Sequence, residues 1–325
     1  MRFSTLPNGG PDGRLHLVSR DNRRAVPAIA APTLQAALER WVETEPLLEA
    51  EYVALNAGPV DGEIAFDPTA ALAPLPRAWQ WLDGSAYDSH GDLMTKLFGF
   101  DAKQGDRDFI LMYQGISDRF LSANETALFP SEEDGIDFEG EFGVITDAVA
   151  MGVTPEEGAA HIRLVVQIND WSLRRMASKE MQSGFGVLSC KPRSSMAPVA
   201  VTPDELGSAW RDCQVDLPLE VDFRGERFGA AGGYAMSAGF DRLVARAAYS
   251  RTLVAGTVIG SGTVSNANFR EVGSSCIAER RGIETMDEGK PKTPFMRFGE
   301  RVRMEARMQD GSPLFGAIDQ AVTRA

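Results

Sequence analysis

Ile136-Asp137-Phe138-Glu139-Gly140-Glu141-Phe142-Gly143-Val144-Ile145 is the stretch around which the rest of the chain is organised. Read with a period of two, it is a β-strand with unlike faces. Phe138, Phe142 and Val144 turn one way, toward a core. Asp137, Glu139 and Glu141 turn the other way, in a row. Carboxylates at i and i+2 stand roughly 7 Å apart, from a rise of about 3.3 Å per residue. On an edge strand such a charged face serves solubility. In a cleft it requires a proton or a cation, and donors that are all oxygen suit a hard ion such as Mg2+ or Ca2+. Gly140 leaves room for another element to come close. The stretch alone accommodates both readings.

The surrounding chain has 325 residues, 43% hydrophobic and 24% charged, an ordinary globular composition. That length allows a large core and suggests a large domain with a smaller one. A net charge of −13 and a pI near 4.8 argue against nucleic acid or an anionic membrane as the main partner. Cys190, Cys213 and Cys276 are far apart and lack CxxC spacing, which supports neither a disulfide framework nor a zinc knuckle. No apolar run approaches a membrane span and no signal-like segment opens the chain, so the cytoplasm is the expected location.

Residues 1–75 read as a small α+β unit. Arg14 to Arg20 forms a strand after the turn at residues 9–13. Pro32 to Leu55 carries Leu34, Leu38, Trp41, Leu47 and Leu48 at helical spacing, with Thr33 as cap. Pro68, Pro74 and Pro76 in an Ala-rich run place a linker and domain boundary there. Residues 76–325 form the main, β-rich domain. Thr154-Pro155-Glu156-Glu157 starts a helix, and Ile162 to Ile168 is a buried strand tipped by Asp170. Thr202-Pro203-Asp204-Glu205 is a second helix start. Strands are predicted over 215–223, 257–264 and 301–308, and a helix over 240–249. The whole is α+β.

Several groups could carry chemistry. Asp170 at a strand tip either serves a site or caps the following turn. Of three histidines, His16 lies in the small domain and His161 ends a predicted helix, where the helix dipole accounts for it. His90 lies in Asp83-Gly84-Ser85-Ala86-Tyr87-Asp88-Ser89-His90-Gly91-Asp92, a polar segment without clear periodicity, read as loop. Ser189-Cys190-Lys191-Pro192-Arg193-Ser194-Ser195 offers a cation and hydroxyls, for an anion or as a basic surface loop. Gly260-Ser261-Gly262-Thr263 lacks the Lys and helix of a phosphate loop and reads as a strand turn.

Taken in order, DFEGE (137–141), VVQINDWSLR (165–174), CKPRSS (190–195), GSGTVSN (260–266) and SSCIAERR (274–281) resemble the fumarylacetoacetate hydrolase superfamily, in particular its bacterial fumarylacetoacetase-like members. MRFGERVRMEA followed by FGAIDQ extends the resemblance, which runs from about residue 75 to 319. It implies a mixed β-sandwich roll, a divalent metal (Mg2+ or Ca2+, with Mn2+ as a further option) and a homodimer with a site in each protomer. By position, Glu139, Glu141 and Asp170 match the metal carboxylates, and Asp83 matches a fourth ligand of the animal-type enzyme. His90 then falls at its general base. Arg174 and Lys191 match the groups that hold an oxyanion. Ser195 and Thr263 match hydroxyl contacts to substrate, and Tyr113 a contact to the substrate carboxylate.

Three positions depart from the pattern. An oxyanion glutamine falls near Ala177. A substrate-binding arginine falls near Gly99, leaving Lys96 or Arg107 as replacements. The glutamate that orients the histidine has no clean match at Ile277, and Glu279 is the nearest candidate. The implied reaction is hydrolytic carbon–carbon cleavage of a small diketo acid, fumarylacetoacetate first, in aromatic amino acid catabolism. Acylpyruvate hydrolysis, oxaloacetate decarboxylation and 2-oxo-pentenoate hydration use the same site chemistry. A metal- or ligand-binding protein without turnover is the non-enzymatic alternative. The Gly-rich 84–105 region is a candidate lid.

Overall fold

The acidic stretch folds as two strands rather than one. The computed structural model describes residues 1–98 and 109–325, and in it Ile136–Asp137 and Gly140–Thr146 are separate strands. The break at Phe138 and Glu139 ends the row expected for the three acids. Asp137, Glu139 and Glu141 are all buried, so the charged outer face is not what forms.

Gly140–Thr146 lies inside an eleven-stranded sheet, antiparallel to Ile162–Asn169 on one side and Thr257–Gly260 on the other. Thr257–Gly260 in turn pairs in parallel with Gln80–Gly84, and Met112–Gly115 closes that edge. On the other side the sheet runs through Ala200–Val201 into Arg2–Leu6, Arg14–Val18, Arg24–Pro27 and Ile64–Ala65. The N-terminal strands and those of the main part are therefore hydrogen-bonded into one sheet.

Strand alternation sorts the buried side chains onto two faces. Leu164, Val166 and Ile168 join Phe3, Leu17 and Trp41 in the core beneath the helices Leu34–Glu39 and Trp41–Ala57. Val165, Phe142 and Val144 join Leu219, Val221 and Met304 in the other core. That second core is covered by a five-stranded sheet made of Glu226–Gly232, Pro218–Phe223, Arg301–Ala306, Ile318–Arg324 and Ala127–Phe129. Gln167 bridges the sheets: its amide donates to Met304 O at 3.0 Å and accepts from Ala306 N at 2.8 Å. The result is α+β, with mixed sheets packed as a sandwich.

Local signals act as read. Thr33 accepts from Ala36 N, and Thr154 and Glu157 form a reciprocal capping box ahead of Pro155. Thr202-Pro203 opens a 3-10 helix, Pro203–Ala209, rather than an α-helix. The strand predicted over 215–223 is interrupted, leaving Pro218–Phe223, and that over 257–264 stops at Gly260. His90 is not on a loop but on the helix Asp88–Phe98. No helix among the described residues is long and apolar enough to cross a membrane.

Candidate active site and metal centre

Three neighbouring strands deliver three carboxylates to one place. Glu141 comes from the central strand, Asp83 from the end of Gln80–Gly84, and Asp170 from the residue after Ile162–Asn169. One oxygen from each lies within 4.8 Å of the others, and all three residues are buried. The strand between them ends in Gly260, whose register partners are Asp83 and Gly143. A Cβ there would meet Asp83 Oδ1 at 2.4 Å and Glu141 Oε2 at 2.9 Å. Glycine is what leaves the space between the acids open. Gly262, at φ +80, turns the chain so that its N–H donates to Asp83 Oδ1 at 3.0 Å.

The electrostatics call for a cation. Neither oxygen of Glu141 meets a hydrogen-bond donor outside the cluster, although buried polar atoms normally do; its neighbour is the Asp83 carboxyl, with which it shares either a proton or a cation. Burial, then the charge of Asp83, pushes the Glu141 carboxyl well above the carboxylate range. Burial and the charge of Asp170 push Asp83 up to about 8. Asp170 is held differently: Tyr113 Oη and Ser194 Oγ donate to it at 2.6 Å each, and Lys191 completes its partners. It does not cap a turn. A buried cluster of oxygen donors, with Glu141 unmet by any donor outside it, fits a hard divalent ion.

Glu139 stands beside this group and is taken up by cations. Arg174 Nη2 donates to its Oε1 at 2.7 Å, and Lys191 pairs with its Oε2. Burial would raise its pKa, but the Arg174 and Lys191 charges outweigh burial and hold it well below the usual range. Burial would likewise lower Lys191, yet Asp170 and Glu139 keep it firmly charged. Arg174 also donates to Asp137 Oδ2 at 2.8 Å. Asp137 in turn accepts from Ile277 N at 2.7 Å and Ala278 N at 2.9 Å, at the start of the helix Ile277–Glu288. The favourable dipole end of that helix is thus tied to the acidic stretch.

That helix carries Glu279. His90 Nδ1 donates to Glu279 Oε1 at 2.8 Å, with Glu279 wholly buried and His90 partly open. This bond sets the tautomer that leaves the lone pair on Nε2. His90 acts electrostatically on Glu139, so dyad and carboxylates adjoin.

Ser195 is placed elsewhere than expected. Its hydroxyl accepts from Trp171 Nε1 at 3.1 Å in the core, and Ser194 reaches Asp170 instead. Adjacent residues entering the Ser195–Met196 strand take opposite faces, so only one serine could face the site. Nothing but register chooses between them. Thr263 is buried and directly follows Gly262, whose N–H donates to Asp83. Ala177 lies on the helix Arg174–Ser183, and Lys96 is exposed. Gly99, Arg107 and residues 99–105 of the candidate lid lie outside the described residues. His161 lies just past the end of the helix Pro155–Ala159, as expected, and its ring pairs with Asp147 Oδ1 at 2.6 Å, while His16 pairs with Arg14 O at 2.9 Å. Sequence reasoning misses the space that Gly260 leaves between the acids and the clamp that Asp137 forms, Asp137 reading only as one of a row of acids. The run Gly260-Ser261-Gly262 is the available signal for the first, and it reads as a strand turn.

A family model described as fumarylacetoacetate (FAA) hydrolase C-terminal matches residues 80–323, and one described as fumarylacetoacetase N-terminal domain 2 matches residues 1–77. No curated protein matches the chain. Among solved structures, the chain is similar to a fumarylacetoacetate hydrolase from psychrophilic Exiguobacterium antarcticum, at 17% identity and a TM-score of 0.66, covering 100% of both chains. It is also similar to maleylpyruvate hydrolase from Sphingobium sp. SYK-6 in complex with manganese(II) and pyruvate, at 15% identity, TM-score 0.65 and 100% of both chains. A 5-carboxymethyl-2-hydroxymuconate delta-isomerase from Mycobacterium smegmatis aligns at 15% identity and TM-score 0.61, over 100% of this chain and 99% of that one. At these identities the likeness is one of fold.

Proposed function

The chain belongs to the fumarylacetoacetate hydrolase family, and on that premise we propose that it is a metal-dependent hydrolase cleaving a carbon–carbon bond of a β-diketo acid. The observation that carries the reading is a buried carboxylate, Glu141, met by no donor outside its cluster and grouped with Asp83 and Asp170 beside the His90–Glu279 pair. Asp83, Glu141 and Asp170 would hold the ion, with Glu139 alongside. When bound, the ion supplies Lewis acidity toward the paired oxygens of a diketone. The manganese(II) of the maleylpyruvate hydrolase neighbour supports Mn2+ as an ion to test with Mg2+ and Ca2+.

His90 takes a proton from water at Nε2, while Glu279 holds Nδ1 and steadies the ring. The hydroxide adds to the carbonyl carbon. Lys191 and Arg174 supply the positive charge that the resulting alkoxide needs. Collapse breaks the carbon–carbon bond, and its electron pair goes to the leaving carbon, which takes up a proton. The products are a carboxylic acid and a methyl ketone. Tyr113 and Ser194 keep Asp170 in place, Tyr113 is near enough to the cluster to meet substrate oxygens, and Thr263 belongs to the same reading as a hydroxyl contact to substrate. A homodimer belongs to the same reading, with light scattering on the purified protein as its check.

Decarboxylation of an oxaloacetate-type acid has no use for activated water, so the dyad favours hydrolysis. The test is turnover of fumarylacetoacetate by metal-stripped protein before and after adding Mg2+ or Mn2+. Metal-dependent release of fumarate and acetoacetate is expected. Tight metal binding without that turnover would move the substrate to acylpyruvates or oxaloacetate. Failure to bind any divalent ion in calorimetry would sink the reading.

A further inference from the structure

Cys276 has no part in the chemistry above, yet it sits against the dyad. It pairs with Glu139 across an antiparallel bridge and caps the helix Ile277–Glu288, its Sγ accepting from Glu279 N at 3.4 Å. One ligand atom each from Cys276, His90 and Glu279 lies within 4.8 Å of the others. Glu279 is wholly buried, and its Oε2 meets no hydrogen-bond donor. A thiol, an imidazole and a carboxylate with a spare oxygen thus converge on one point, next to but apart from the all-oxygen cluster.

We propose that Cys276, His90 and Glu279 form a second metal site, selective for a thiophilic ion such as Zn2+, and that filling it switches the enzyme off. Ligand atoms on one tetrahedral zinc stand roughly 3.3–3.7 Å apart, from bonds of about 2.0–2.3 Å. Small side-chain rotations bring the three atoms to that spacing. His90 is 15% exposed, which leaves an approach for the ion and a fourth position for water. Binding expels the thiol proton to solvent, shifts the His90 ring proton from Nδ1 to Nε2, and replaces the His90–Glu279 hydrogen bond with two metal bonds. Donor softness sorts the ions: sulfur and nitrogen select zinc over magnesium, and the oxygen cluster holds the hard ion. The inhibitory effect rests on the proposed role of His90, whereas the site itself does not.

The experiment uses the full chain with Mg2+ in excess, titrated with Co2+ as a spectroscopic probe. One equivalent should produce a sulfur-to-cobalt charge-transfer band that Zn2+ then displaces. Cys276→Ser, which keeps a good helix cap, should lose the band, with Cys190 and Cys213 still present as internal controls. Zn2+ should inhibit wild-type turnover, and Cys276→Ser should need at least about tenfold more zinc for the same inhibition, given the softness of the lost ligand. No band in wild type, or equal zinc sensitivity in the folded variant, would overturn the proposal. If Cys276→Ser fails to fold, His90→Gln decides: a band of unchanged affinity there refutes the site, and its loss supports it. A band without turnover of any diketo acid would keep the site and sink the hydrolase reading. Turnover without a band does the reverse.

Discussion

Glu141 is the residue on which most depends. A buried carboxylate met by no donor outside its cluster is costly unless a proton or a cation reaches it. Glu141→Gln should therefore lower divalent-ion affinity beyond the roughly 10–100-fold expected for an outer-shell change, as read by calorimetry, and should raise the melting temperature of the chain in chelator. The pH dependence follows from Asp83, whose carboxyl rises from 3.8 to about 8 on folding. A raised acid favours the folded state fully below its unfolded pKa and loses that contribution as pH climbs to the folded value. Metal-free protein should thus melt several degrees lower at pH 8 than at pH 4 on this account, at about 2–4 °C per kcal/mol, and Mg2+ should flatten the difference. A melting temperature that rises across that window in chelator would contradict it. His90→Ala should keep metal affinity and lose on the order of 10²–10⁴ in kcat. Unchanged turnover would remove His90 from the mechanism.

At the scale of elements, the site depends on where strands stop. Thr257–Gly260 ends at the level of the acids, and a methyl at Gly260 would occupy the space between Asp83 and Glu141. Gly260→Ala should weaken ion binding at least as much as losing one ligand while the far-ultraviolet circular dichroism stays unchanged; retained affinity would show that the ion sits elsewhere. The break at Phe138 and Glu139 has a different consequence. It frees Asp137 to tie Arg174 to the first N–H groups of Ile277–Glu288, the helix that presents Glu279. Asp137→Asn should cost about 3 kcal/mol in urea unfolding, as for other broken buried pairs. Capping boxes and helix starts were legible here because they are local. The broken strand was not, because its cause is a helix more than a hundred residues downstream.

Across the whole molecule, the N-terminal strands continue the main sheet through Arg2–Leu6 and Ala200–Val201. Their helices cover Ile145, Leu164, Val166 and Ile168. Scanning calorimetry should show a single transition, and removing residues 1–77 should leave an aggregating product. Two well-separated transitions would show instead that the N-terminal unit folds independently. The amino-acid sequence by itself determined the α+β class, the buried strand ending at Asp170, the family resemblance and the residue types of the site, because periodicity, caps and motif order are written along the chain. Only the tertiary structure decided that Glu139 turns to Arg174 and Lys191 rather than into the Asp83–Glu141–Asp170 group, that Ser194 rather than Ser195 reaches Asp170, and that Cys276 adjoins His90. Those outcomes depend on strand register and on contacts between distant segments, where shifting by one residue reverses the face that each side chain takes.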